Sequence, residues 1–134
     1  MAITLATARD QLETRLVDAT NLIFATSTLD EAFRASLGEV SNTYGSDVTL
    51  KDLDSAPATT FDDVDFVAVM VGATAFALRF RLFNKFEEVS PIREHPEDLA
   101  KWATEAMEEF QGLLTHIRLR RFQESSDHPY TAWE

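Results

Sequence analysis

The feature that most constrains this chain is an apolar run over residues 66–78, Phe-Val-Ala-Val-Met-Val-Gly-Ala-Thr-Ala-Phe-Ala-Leu, which ends at Arg79 and Arg81. Its apolar side chains do not form one stripe. At helical spacing, Val67, Met70, Val71, Thr74, Leu78 and Leu82 fall on one line, and Ala68, Gly72, Ala75, Arg79 and Phe83 on another. A helix that is apolar nearly all round is enclosed by protein or by lipid. Thirteen helical residues rise about 20 Å, short of the ~30 Å of a bilayer interior, so the run predicts a buried helix and no membrane span. Gly72, Ala73 and Ala75 leave room for a neighbouring helix to come close. That gives a reason for a mid-helix glycine, which costs about 1 kcal/mol relative to alanine. The helix is expected from Phe61 or Asp62 to about Glu88, with Asp62, Asp63 and Asp65 in its first turn, where carboxylates favour the exposed amides.

Three more helices follow from the same periodicity. Leu5, Ala8, Leu12 and Leu16 recur at spacings of three and four, with Thr4 as N-cap, and predict a helix to about Val17. Thr28-Leu29-Asp30-Glu31 reads as a capping box, so a second helix should start at Leu29. Its stripe is Leu29, Ala32, Phe33, Leu37, Val40 and Tyr44, and Gly45 is placed to end it. Pro96, followed by Glu97 and Asp98, opens the last helix. Leu99, Trp102, Ala103, Ala106, Phe110, Leu113, Leu114 and Ile117 form its stripe. Residues 46–60 read as a long loop, with a short strand conceivable at Val48-Thr49-Leu50. Loops of that length inside a compact domain are often functional. The expectation is an all-α fold: a four-helix bundle-like domain over residues 1–124 around a long buried central helix, and an extended C-terminal tail over 125–134.

No site chemistry comes forward. The chain has 134 residues and no cysteine, which excludes disulfides, thiolate metal sites and a cysteine nucleophile. No signal peptide is visible at the N-terminus. His95, His116 and His128 have no partner at metal-ligand spacing, and Asp62-Asp63-Val64-Asp65 lacks an EF-hand continuation. Four glycines form no phosphate loop, and no nucleophile elbow is present. No enzymatic role, cofactor or metal is expected. The net charge of −11 argues against nucleic-acid binding through the overall field.

Two features exceed the needs of a core. Helix four closes on Arg118, Arg120 and Arg121. These suit a helix C-terminus and equally suit an anionic partner, most simply the acidic segment 46–65 of a neighbouring copy. The tail carries Pro129, Tyr130 and Trp133, and aromatic residues are enriched at interface anchors.

This layout resembles the head–tail connector proteins of tailed viruses, also called adaptor or head-completion proteins. The resemblance is carried by Ile3-Thr4-Leu5 with Arg9, Leu12, Arg15 and Leu16; by Thr28-Leu29-Asp30-Glu31 and Phe33 through Ser41; by Val71 through Arg79; and by Trp102 through Phe110 with the Arg-rich close and aromatic tail. It implies a structural virion protein in the neck region, made in the host cytoplasm, forming a usually dodecameric homo-oligomeric ring between the portal protein and the tail or neck proteins. It further implies that genomic DNA passes through without sequence-specific binding, and that residues 125–134 engage the portal or a neighbour, with Trp133 as anchor. The competing readings are an acidic helical chaperone or regulatory module that binds a client segment, and a helical enzyme or ligand binder with a pocket near Arg79, Arg81 and Trp102.

Overall fold

The computed structural model describes residues 3–16, 24–87 and 96–124. Among them the fold is all-α, with helices α1 (Leu5–Arg15), α2 (Thr26–Tyr44), α3 (Phe66–Glu87) and α4 (Pro96–Glu124), two short 3-10 turns and no strand. Helix α3 lies between α2 and α4 and makes its most extensive contacts with them, while α1 packs on α2 and α3. The expected central helix is therefore central. Residues Ala68 through Ala75 are all buried, as are Ala77 and Leu78.

Gly72 shows why that helix tolerates glycine. A Cβ there would lie 2.4 Å from Ser36 Oγ on α2 and 2.6 Å from Phe110 Cε1 on α4. Both neighbouring helices cross α3 at this point, and fully buried Phe110 fills the gap that the missing side chain leaves. Ser36, also fully buried, donates a hydrogen bond to the Val69 carbonyl at 2.8 Å. The α1 and α2 stripes reach the core through Leu5, Ala8, Leu12 and Leu16 and through Leu29, Ala32, Phe33, Leu37 and Val40, with Tyr44 partly buried against it.

Helix boundaries depart from expectation in two places. Thr4 does cap α1, accepting from the Thr7 amide. Helix α2, however, begins at Thr26 and not Leu29, with Ala25 at the cap position. The Ala25 carbonyl takes the amides of Thr28 and Leu29 at 3.0 and 3.1 Å, so the turn closes before Thr28 is reached. The acids of the supposed capping box are used elsewhere. Asp30 forms a two-point ion pair with Arg9 of α1, at 2.8 and 2.7 Å, and Glu31 pairs with Arg34. Helix α3 starts at Phe66, after a 3-10 turn over Asp63–Asp65. Gly45 ends α2 as expected, in the left-handed conformation at φ 76°.

The loop over residues 46–60 is tied down along its length. Val48, Leu50 and Leu53 are buried. Val48-Thr49-Leu50 forms no strand; one parallel bridge joins Thr4 to Lys51, and the Leu5 amide donates to the Lys51 carbonyl at 3.0 Å. Thr59 Oγ1 donates to the Ile3 carbonyl at 2.6 Å, and Arg34 clamps Asp54 with contacts of 2.8 to 3.1 Å. Asp52, Asp54 and Ser55 all hold positive φ, an uncommon run for residues other than glycine. The backbone groups a strand partner would need at Thr49 and Lys51 are already bonded within the chain.

Candidate functional site

The basic close of α4 sits where three helix ends converge: the C-terminus of α2, the N-terminus of α3 and the last turns of α4. Arg120 Nη1 and Nη2 donate to Asp65 Oδ1 and Oδ2 at 2.8 and 2.7 Å, a bidentate pair of the strong planar kind. Asp65 is 2% exposed and Arg120 32%. Asp62 stands 3.7 Å away as a second, weaker anion. Tyr44 donates its hydroxyl to Asp65 Oδ2 and accepts the Asp62 amide at 3.2 Å. Arg121 lies over the Tyr44 ring, 4.1 Å from its centroid, a cation–π contact.

The electrostatics follow from this packing. Burial pushes the Asp65 carboxyl up, but the hydrogen bonds from Arg120 and Tyr44 and the charges of Arg120 and Arg121 outweigh it and hold the group below its usual range. Burial, reinforced by the bond to Asp65, pushes the Tyr44 hydroxyl up to about 12. The cluster is thus a fixed, charge-balanced staple with Asp65 ionised at neutral pH.

Two of the three arginines expected to face a partner are therefore engaged within the chain. Arg120 meets the acidic segment of its own copy. Asp65, expected to serve the α3 dipole, is turned instead to Arg120, because the 3-10 turn places it under α4. Arg118 remains exposed and makes no ion pair with the described residues. Pro129, Tyr130 and Trp133, with His95 and His128, lie outside the described residues. His116 is exposed.

Sequence periodicity missed the exposed apolar residues. Val64 is 72% exposed, Val67 51%, Leu119 52% and Phe122 41%. Val64 and Val67 form one wall of an open groove of about 300 Å³, with Leu113, His116 and Arg120 opposite. The signal for Leu119 was legible: it stands 200° around the helix from buried Ile117, off the apolar stripe. Trp102 is likewise half out, one position from the line of Ala103 and Ala106. Arg79 and Trp102 line separate grooves between α3 and α4, about 410 and 230 Å³, and Arg81 is buried. Among the described residues no group of three or more acidic or histidine side chains is placed to hold a metal, and no helix is long and apolar enough to cross a membrane. Comparison with models of protein families, with curated proteins and with solved structures finds no match to this chain.

Proposed function

We propose that this chain is a structural virion protein that forms a ring between portal and tail, completing the head and giving the tail a surface to dock on. The reading rests on the resemblance in helical layout. The observation that carries it is the far end of α4, where Arg118, Leu119 and Phe122 are exposed and are followed in the sequence by residues 125–134 with Pro129, Tyr130 and Trp133. A charged and aromatic helix end is suited to protein contact, where aromatic and arginine anchors dominate binding. The acidic balance suits passage of DNA past the protein, since it gives phosphates little to bind. Neck location, the portal and tail partners and the dodecameric copy number belong to the same proposal.

The test is association with a cognate portal protein, followed by light scattering and electron microscopy. Ring-shaped complexes are expected, and deletion of residues 125–134 should abolish them while the helical circular dichroism persists. No association between the two full-length proteins would end the proposal. The groove with Val64 and Val67 favours a second reading, a chaperone or regulatory module holding a client segment; such a protein would keep its client after the same deletion.

A further inference from the structure

The exposed apolar residues near the end of α4 fall into two faces of opposite character. Val64 and Val67 flank one side, beside exposed Asp62 and Asp63. Leu119 and Phe122 occupy the other, beside exposed Arg118. Helical register fixes their relation. Arg120 points toward Asp65 and the Val64 side, while Leu119 lies 100° around the helix from it, Arg118 and Phe122 each about 160°. The two faces thus look away from each other, and one copy of the chain has no way to bring its own together.

We propose that copies of this chain associate through these unlike faces, the acid-flanked Val64–Val67 face of one copy against the Arg118–Leu119–Phe122 face of the next. Each face offers apolar area that a contact would remove from water, and exposed Asp63 on one is opposite in charge to exposed Arg118 on the other. A twofold contact that paired like with like would set Arg118 against Arg118 or Asp63 against Asp63. In a chain with 23 acidic and 12 basic Lys and Arg side chains, general repulsion between copies further favours an arrangement that brings an exposed arginine to aspartates. A contact between unlike faces has free faces at both ends. It therefore propagates, closing into a ring where the rotation permits and growing into a filament where it does not. Closure into a ring rests on the function proposed above; the contact itself does not.

The absence of cysteine makes the test clean. Val64→Cys and Leu119→Cys are both exposed substitutions and should leave the fold intact, checked by circular dichroism. Purified separately and mixed under mild oxidation, the two full-length variants should form the mixed disulfide about tenfold faster than either forms its own dimer, because a specific contact raises the effective concentration of the pair. Arg118→Glu on the Leu119→Cys chain should slow the reaction, and Asp63→Lys on its partner should restore it. Equal rates for mixed and like pairs, or no mixed disulfide at the highest concentration the protein tolerates, would overturn the contact. A chain carrying both cysteines separates this inference from the ring reading. A ladder ending in a closed multimer supports both. A ladder without end supports the contact and counts against the ring. Portal-bound rings whose subunits do not cross-link at this pair refute the contact and leave the ring standing.

Discussion

Replacing Arg120 with methionine isolates the staple that joins three helix ends. The variant strands the Asp65 carboxylate at 2% exposure, with the Tyr44 hydroxyl as its remaining strong partner. Removing one member of a buried ion pair typically costs about 3–5 kcal/mol, and the partial exposure of Arg120 reduces this to about 2–3 kcal/mol here. Urea denaturation followed by circular dichroism measures it. The pH dependence is the sharper check. In the parent, Asp65 is held below its usual range, so its contribution is present above the unfolded carboxyl value and is lost as pH falls through the folded one. In the variant, burial is left as the dominant influence and pushes the carboxyl up, so its penalty grows with rising pH and disappears in acid. The stability gap between the two proteins should be widest near neutrality and narrow toward pH ~4. A loss under about 0.5 kcal/mol, or a gap unchanged across that range, would refute the assignment of Asp65 as a buried, ionised partner of Arg120.

The packing at Gly72 predicts that Gly72→Ala destabilises by about 1–2 kcal/mol, since overpacking against Ser36 and Phe110 outweighs the gain in helix propensity. Combining it with Phe110→Leu should recover part of the loss, and a double-mutant cycle that proves additive within error would count against that contact. In the loop, Ser55→Gly should raise stability by about 0.5 kcal/mol by releasing a strained φ, while Gly45→Ala should lower it by about 1 kcal/mol, both read from the urea midpoint. Arg34→Ala should leave the urea midpoint nearly unchanged, because the Asp54 pair is exposed, yet it should speed hydrogen exchange at the amides of residues 53–56.

Much of the architecture was legible because periodicity reports burial directly. The stripe Leu5, Ala8, Leu12 and Leu16 and the run around Gly72 specify helices and the faces they hide, whatever partner covers them. The glycine itself announced a close approach. Boundaries were less legible. Thr28 to Glu31 matched a capping pattern, but the Ala25 carbonyl took the Thr28 amide that the Glu31 carboxylate would have reached, and local sequence does not rank two competing sets of hydrogen bonds. The candidate site was legible only in part. Arg118, Arg120 and Arg121 read alike in sequence as a basic helix end. Their fates differ because α4 turns 100° per residue, setting Arg120 on Asp65, Arg121 on Tyr44 and Arg118 toward solvent.

Residue order alone determined the all-α class, the enclosed third helix and the excess of acid over base, since these depend on composition and on spacing along one chain. Tertiary structure decided which charges remain exposed and which apolar residues stay in view. Tyr44 and Asp65 are 21 residues apart, and Asp65 and Arg120 are 55 apart. No local pattern pairs them; they meet because α2 and α4 both pack on α3, and the same packing turns Val64 and Leu119 outward on opposite sides.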